Sequence, residues 1–181
     1  MEHQGLDRTD SDIIHILQKN AWTPNKQIAA VVRLAPSTCH ERIRHLRASG
    51  IIRGAHAEID PRGIGVGLEA LAFIKLAKYE RAVINQFMDD MKSIPEVRSV
   101  FLVNGRYDVI LHLAVKDVDH LRNLGLDRIT CQAVVVNIET SIVYDSRSKY
   151  ELPILLEDGK TKSTPQKKHS AHSKRASRRQ N

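Results

Sequence analysis

Cysteines, aromatic residues and long apolar runs are all scarce in this chain of 181 residues. The two cysteines, Cys39 and Cys131, lie far apart, each within a predicted helix, which argues against a disulfide framework or a cysteine-based metal site. No apolar run approaches the roughly 18 residues of a membrane span. The charged start does not resemble a signal peptide. We therefore expect a reducing, cytoplasmic location.

The positive charge of the chain is concentrated at its end. From Lys160 onward there are eight lysines and arginines and no acid, whereas residues 1–159 carry 20 basic and 21 acidic side chains. Apolar residues vanish there, so residues 157–181 are predicted to form a disordered basic tail. Such a tail either attracts DNA in a salt-sensitive, sequence-independent way or only solubilises the chain. Near the start, Asp7, Asp10 and Asp12 would repel phosphate, so the first helix should face away from DNA.

Residues 34–50 combine the clearest helix signals with a cluster of arginines. Pro36 suits the first turn of a helix, where its missing N–H is not needed. Gly50 suits the residue just past the helix end, where the backbone turns left-handed. One narrow apolar stripe repeats at i, i+4 and i+7: Cys39, Ile43 and Leu46.

The other faces of this helix predict contact with a nucleic acid. Residues 33–53 carry five arginines and two histidines against one acid. A short helix docked by a narrow seam, with basic side chains outward, is typical of a recognition helix in the major groove. A solvated surface helix is the alternative. The predicted DNA contacts are Ser37, Thr38, His40, Glu41, Arg42, Arg44, His45 and Arg47.

These residue types suit different parts of a duplex. Ser37 and Thr38, with the free N–H groups of the first turn, are placed for phosphate. Arg44 is the first choice for a base-edge contact, because a guanidinium matches guanine O6 and N7. Glu41 either accepts from cytosine or holds a neighbouring arginine. The two histidines of the helix are as consistent with solvated side chains as with DNA contacts.

Two more helices precede this one and complete a DNA-binding domain over residues 1–60. Asp7 predicts the N-cap of the first helix and Pro24 the start of the second. Trp22 between them is interpreted as a wedge between helices. The predicted inward residues of the second helix are Ile28, Ala29, Val31 and Val32. A turn of 3–4 residues joins the second helix to the third, and an extended segment follows the third helix at 51–60. We therefore predict a winged helix-turn-helix.

Several separated motifs carry a family resemblance. They are Leu6-Asp7-Arg8-x-Asp10-x-x-Ile13, Leu34-Ala-Pro36-Ser-x-Cys39-x-Glu41-Arg42-Ile43-Arg44-x-Leu46, Gly50-Ile-Ile-x-Gly54, Asn104-Gly105-Arg-Tyr107-Asp108 and Glu139-Thr140. Together they resemble the Lrp/AsnC family of bacterial and archaeal transcription regulators over about residues 6–145. The chain departs from that pattern at Ala35, where the family usually has a capping serine, and at Arg33, where it has a turn glycine. The lost cap is worth on the order of 1 kcal/mol, and Arg33 must accept strain or the turn must be built differently.

Residues 61–68 are predicted as a linker and residues 69–150 as a second domain. The glycines at 63, 65 and 67 do not form a dinucleotide loop, because the third comes one residue early and no strand–loop–helix surrounds them. The predicted elements are strands at 71–76, 97–103, 107–115 and 134–144, and helices at 82–92 and from Asp117. Asn104-Gly105 predicts a tight hairpin turn. The βαββαβ order is ferredoxin-like, so the overall fold class is α+β.

The resemblance further implies an effector pocket at a subunit interface, near this hairpin. Gly105, Tyr107 and Asp108 match the family's Gly-x-x-Asp loop, and the last strand would add Thr140 or Ser141. Glycine lets a ligand approach the backbone, and a carboxylate can pair with the ammonium of an amino acid. The alternative is a plain hairpin turn in which Asp108 is a solvated strand start.

One helix-turn-helix contacts too few base pairs for genomic specificity, so a homodimer is expected. The resemblance implies tetramers or octamers assembled through exposed sheet faces, and a nucleoid-associated transcription regulator that is not an enzyme. No cofactor or metal site is predicted. An RNA-binding protein using the ferredoxin-like domain and the basic tail is the alternative, which the aromatic content of 4% disfavours. A ferredoxin-like enzyme is a third class, disfavoured because no nucleophile or paired acid stands out.

Overall fold

The computed structural model describes residues 5–77 and 80–155, which divide into two compact units. The helical unit contains the described residues up to Ile52 together with the segment that begins at Tyr150. The sheet unit is Arg53–Lys149. The predicted basic tail, residues 157–181, lies outside the described residues. The linker and domain boundaries stated above stay predictions.

The helical unit is a helix-turn-helix, as predicted. Its helices are α1 (Arg8–Lys19), α2 (Asn25–Val31) and α3 (Pro36–Ala48). Asp7 caps α1 by accepting a hydrogen bond from the Asp10 N–H at 2.8 Å, and the Asp10 carboxylate accepts one from the Asp7 N–H at 3.3 Å. Ala35 gives α3 no side-chain cap. Gly50 follows α3 with a positive φ of 75°, which is the conformation that glycine adopts without strain.

A small core holds the three helices together. It confirms the predicted seam of α3, but two residues were assigned inward positions wrongly: Val31 is 68% exposed and Trp22 is 79% exposed. Val31 lies about 200° around the helix from Ala29, so it faces outward. Trp22 lies in the connection between α1 and α2 and does not belong to the core of the helical unit. The buried core residues are Ile13, Ile28, Ala29, Cys39, Ile43 and Leu46.

The chain returns to the helical unit after the sheet. The Gln18 side chain bonds both polar groups of Leu152: its amide N–H donates to the Leu152 carbonyl at 3.3 Å, and its oxygen accepts from the Leu152 N–H. His15 and Glu151 lie 3.9 Å apart beside this contact. The described part of the chain therefore ends on α1, a connection that the sequence motifs did not indicate.

The sheet unit has the predicted ferredoxin-like order. Its elements are β1 (Leu68–Leu76), α4 (Arg81–Lys92), β2 (Val97–Leu102), β3 (Val109–Val115), α5 (Val118–Leu124) and β4 (Val135–Val143). The sheet is antiparallel with strand order β2-β3-β1-β4. α5 continues into a π-helical turn, Gly125–Ile129, rather than as one regular helix. Cys131 lies in the turn after it and is exposed, so its predicted helical position is wrong.

Strand alternation gives the sheet one buried face. Every second residue of β1 and β3 points to that face, which α4 covers with Phe87 and Met91. The buried strand residues are Ala70, Ala72, Ile74, Leu76, Val109, Leu111, Leu113 and Val115. This core contains 13 buried residues, whereas the helical unit has six.

The extended segment that was expected to form a wing has no strand partner. Residues 53–60 are exposed and belong to no strand of the described chain. A short 3-10 turn, Arg62–Ile64, follows and ends at Gly65 with φ 88°. The structure thus retains the three helices of the predicted domain without a paired wing.

Candidate functional site

The outer faces of α3 carry seven of the eight predicted DNA contacts. The seam of α3 is buried in the helical unit, so the remaining faces are left to solvent. Because the seam is narrow, most residues of α3 are exposed, and apart from Pro36 and Ala48 the exposed residues are polar or charged. The exposed predicted residues are Ser37, Thr38, His40, Glu41, Arg44, His45 and Arg47.

Arg42 is the exception, because it binds within its own unit. Its guanidinium donates to the carboxylates of Asp7 and Asp10, each at 2.8 Å, and its side chain is only 33% exposed. The bonds to Asp10 and Asp7 raise the pKa of Arg42. The Asp10 N–H and the Arg42 guanidinium both lower the pKa of Asp7. Arg42 therefore ties α3 to the start of α1. Sequence reasoning had assigned Asp7 only the role of an N-cap and so missed this contact.

Arg44, the predicted base-reading residue, forms an ion pair with Glu41 one turn away on α3. The two side chains are 70% and 62% exposed. Of the two roles considered for Glu41, the structure thus shows the holding of a neighbouring arginine. An exposed pair of this kind is worth only about 0–1 kcal/mol. The guanidinium of Arg44 is therefore accessible to an external partner.

The turn between α2 and α3 is held in a left-handed conformation at Arg33. Its φ is 57°, and it is the one non-glycine residue of the described chain with a positive φ. Leu34 N–H donates to the Ala29 carbonyl at 2.9 Å, which closes the turn. This conformation costs a non-glycine residue roughly 1–2 kcal/mol. Of the two possibilities considered for this turn, Arg33 accepts the strain.

The connection between β2 and β3 is a six-residue loop, residues 103–108, and not the tight hairpin predicted at Asn104-Gly105. Val103 N–H donates to the Asp108 carbonyl at 2.9 Å and closes the loop. Asp108 N–H donates to Ile74 of β1 at 2.9 Å, so Asp108 is held against the central strand. Gly105 has no positive φ, as the tight turn would require.

Asp108 is buried, with 7% of its surface exposed. The alternative hypothesis, in which Asp108 is a solvated residue at the start of a strand, is therefore wrong. One carboxylate oxygen accepts from the Leu76 N–H at 2.8 Å and the other from the Lys75 ammonium at 3.1 Å. A buried carboxylate requires such partners, since removal from water without them is strongly unfavourable. Asp108 therefore joins the loop to the end of β1.

A cavity of about 330 Å³ opens beside this carboxylate. Its size is within the range of small-molecule sites, roughly 300–1,000 Å³. The cavity combines apolar walls with one carboxylate and one ammonium group, which are the polar groups that a zwitterion would match. Its lining residues are Lys75, Ile84, Leu102, Val103, Asn104, Gly105 and Asp108.

The other predicted effector residues lie outside that lining. Tyr107 packs against Phe73, with ring centroids 5.5 Å apart, and under the Arg106 guanidinium. Its buried hydroxyl lies beside Glu139 without hydrogen-bonding geometry, and that carboxylate raises the pKa of Tyr107.

Thr140 and Ser141 are exposed on β4, an edge strand of the sheet. Thr140 is paired with Ala72 and Ser141 with Leu71, so the two side chains lie on opposite faces. Within one chain, the described residues bring only Gly105 and Asp108 of the predicted set to the cavity.

Three helices with an exposed, arginine-bearing surface in one unit, and a ferredoxin-like sheet with a loop-side cavity in the other, define a two-unit transcriptional regulator. Residues 6–47 match the AsnC-type helix-turn-helix domain, and residues 69–152 match the Lrp/AsnC ligand binding domain. The chain belongs to the Lrp/AsnC family of transcriptional regulators, which are not enzymes.

Known proteins resemble the chain over most of its length. The HTH-type transcriptional regulator AldR of Mycolicibacterium smegmatis is 35% identical over 140 residues, covering 77% of this chain and 82% of AldR. The transcriptional regulator AzlB of Bacillus subtilis is 30% identical over 144 residues, covering 80% and 92%. The crystal structure of a transcriptional regulator from Neisseria meningitidis in complex with L-Met has a TM-score of 0.77 and 28% identity, covering 82% and 97%.

Two further features are absent from the described residues. Across residues 5–77 and 80–155, no helix is long and apolar enough to cross a membrane. Within those same ranges, no three His, Cys, Asp or Glu side chains are grouped as metal ligands.

Proposed function

We propose that this chain is a sequence-specific DNA-binding transcriptional regulator that places α3 in the major groove of its operator. The observation that carries the proposal is the outer surface of α3, where seven predicted contact residues are exposed while the apolar seam is fully used in the core. We further propose a cytoplasmic, nucleoid-associated homodimer that forms tetramers or octamers. Two helices on one operator would supply the specificity that one module lacks.

Within α3, Arg44 is proposed to read a guanine, and Ser37 and Thr38 to bind phosphate. Ala35 offers no side-chain cap, so the first N–H groups of α3 are available to an anion. Glu41 would release Arg44 on binding, because their exposed ion pair is weak. In this proposal His40, His45 and Arg47 contact the parts of the operator on either side of these contacts. Arg42 is left out of this set, since its bonds to α1 hold the unit together.

The test is the substitution Arg44→Ala, assayed by fluorescence anisotropy on a duplex selected from a random pool by the wild-type chain. We expect specific binding to weaken by roughly 1–3 kcal/mol, with the fold and the oligomer unchanged. Arg122→Ala is the matched control, because Arg122 also pairs with an acid three residues away on an exposed helix surface, in the sheet unit. Unchanged operator affinity in Arg44→Ala would remove Arg44 from the interface.

For the sheet unit we propose that an amino acid or a related small effector binds in the cavity beside the 103–108 loop. The cavity offers the Asp108 carboxylate to an ammonium group, the Lys75 ammonium to a carboxylate, and apolar walls to a side chain. The N. meningitidis regulator, solved as an L-Met complex, supports this class of ligand. Tyr107, Thr140 and Ser141 would join the site through a second subunit.

Isothermal titration with a panel of amino acids tests the effector. Gly105→Val is a suitable variant, because a Cβ added at Gly105 meets no other atom within 4 Å while the residue lines the cavity. We expect heat from at least one amino acid with the wild-type chain and a weaker response from the variant. No heat from any amino acid would contradict the proposal.

Ligand binding would act on DNA by changing how dimers associate, and hence how far apart the α3 helices lie. The measurement is analytical ultracentrifugation with and without effector, together with a footprint on the selected duplex. An effector that changes neither the oligomer size nor the footprint would exclude this mechanism.

A further inference from the structure

Arg33 occupies the left-handed position of the turn between α2 and α3, and no polar or charged partner of its side chain within the described residues offsets the backbone strain. Its φ of 57° is a conformation that glycine, or less often asparagine, adopts readily. The Arg33 side chain is exposed. In the part of the chain that the structure describes, no ion pair, side-chain hydrogen bond or ring contact includes it. Backbone strain that persists in a folded protein is characteristic of sites that bind a partner.

The contrast with Arg42 shows what an intramolecular role looks like in this unit. Arg42 makes two ion pairs at 2.8 Å and is one-third exposed. Arg33 makes none, although its side chain is exposed and its backbone is in a conformation that favours glycine. The guanidinium of Arg33 is therefore not engaged by any ion pair or hydrogen bond within the described residues and is available to a contact outside the chain.

We propose that Arg33 binds a backbone phosphate of duplex DNA at the edge of the groove that receives α3. This rests on the proposed function. Arg33 lies four residues before Ser37, so their Cα atoms are at most about 15 Å apart. The turn therefore holds a cation close to the start of the recognition helix. A guanidinium suits a phosphate through two parallel N–H donors. The contact would be independent of sequence and sensitive to salt.

Three substitutions separate the charge of Arg33 from its backbone. Arg33→Gly and Arg33→Asn remove the charge and suit the left-handed turn, whereas Arg33→Lys keeps both the charge and the strain. Lys19→Gln is the control, because it removes one exposed cation from the same unit at the far end of α1. Each full-length variant is titrated with the selected duplex and with a duplex of scrambled sequence. The salt concentration is varied between about 50 and 200 mM, over which affinity that rests on phosphate contacts falls by orders of magnitude.

We expect Arg33→Gly and Arg33→Asn to keep or raise the midpoint of thermal unfolding while they weaken binding to both duplexes. The slope of log K against log salt should become shallower by about 0.9 for each chain bound. Arg33→Lys should retain most of the slope, and Lys19→Gln should match the wild type.

Two results would overturn the proposal. One is an unchanged salt slope in both Arg33→Gly and Arg33→Asn while Arg44→Ala still loses specific binding; the proposed function then stands without Arg33. The other is a lower unfolding midpoint in these two variants, which would show that Arg33 supports the fold. A wild-type chain that binds neither duplex would overturn the proposed function and this contact together.

Discussion

The candidate functional charge is exposed to solvent in the helical unit and buried in the sheet unit. On α3, Arg44 is 70% exposed and is held only by a surface ion pair with Glu41. In the 103–108 loop, Asp108 is buried, and both of its oxygens are bonded to the end of β1. An exposed cation is available to a large polyanion at little cost to the fold. A buried carboxylate is first a structural group, and a ligand must share it.

The same contrast separates the arginines of α3. Arg42 is bonded to Asp7 and Asp10, while Arg44, two residues further on, is directed to solvent. The acids of α1 were expected to turn that helix away from DNA. They also neutralise one arginine of α3, which leaves fewer cations for DNA than the sequence count indicates. Substitutions can test each side of this comparison.

The largest effect is expected from Ile13→Ala in the helical unit. Ile13 is fully buried in a core of six residues, and truncation of a buried Ile costs about 2–5 kcal/mol. We expect this small unit to unfold and DNA binding to be lost, while the sheet unit keeps its own core. Hydrogen exchange, resolved by segment, measures both units in one sample. Equal loss of protection in β1 and β3 would contradict independent stability, and Ile14→Ala, on the edge of the same core, is the milder control.

Asp108→Ala should have the next largest effect, confined to the sheet unit. It leaves the buried Leu76 N–H without its acceptor, and bonds to charged groups are worth about 1.5–3 kcal/mol. Asp108→Asn is the matched control, because an amide oxygen can still accept from Leu76. Urea unfolding, followed by the exchange of the Leu76 amide, measures the difference. If both variants are as stable as the wild type, the carboxylate is not structural.

A gain is expected at the start of α3 from Ala35→Ser. Ala35 is at the N-cap position with φ −64° and ψ 143°, an extended conformation that suits a capping serine. The new hydroxyl would accept from a first-turn N–H and stabilise the helical unit by about 1 kcal/mol. Thermal unfolding measures the gain, and Ala35→Val, which cannot cap, is the control. If the N–H groups bind phosphate in the complex, Ala35→Ser raises stability without raising DNA affinity.

The sequence was informative where the determinants are local. α3 runs over Pro36–Ala48 because Pro36, Gly50 and the i, i+4, i+7 seam lie within one short stretch. The strand and helix order of the sheet unit followed in the same way from alternation and periodicity. Family membership, carried by separated motifs, was likewise confirmed by the matches at 6–47 and 69–152.

The errors arose where distant residues decide the local shape. Asn104-Gly105 has a strong hairpin preference, yet the bonds of Asp108 to β1, more than 30 positions away, hold a wider loop. The partners of Arg42 are also 32 and 35 positions away. A helical wheel could therefore place Arg42 only near the boundary between the apolar and polar faces of α3, without showing what it binds. The effector residues that were predicted together are divided between a cavity and two sheet faces. That a second subunit brings these residues together at one site stays a prediction.

The smallest expected effect is a pH dependence of the helical unit that comes from Asp7. The Asp10 N–H and the Arg42 guanidinium lower the pKa of Asp7 below the ordinary value of an aspartate. A carboxylate with a lowered folded-state pKa contributes stability above its unfolded pKa and loses it as pH falls through the folded value. Arg42, whose pKa is raised, stays charged throughout this range.

The loss on acidification below about pH 4 should be under about 1 kcal/mol, since Asp7 is half exposed and the pair is screened by solvent. Asp7→Asn keeps the cap but removes the charge, so it should be less stable at pH 7 and less sensitive to acid. Asp12→Asn, on the exposed side of α1, is the control and should retain the wild-type dependence. Thermal unfolding of the three proteins between pH 3 and pH 7, a window that brackets the carboxyl titration by roughly one unit below and three above, decides the matter. Identical acid profiles for Asp7→Asn and the wild type would show that the bonds of Arg42 to α1 do not depend on the Asp7 charge.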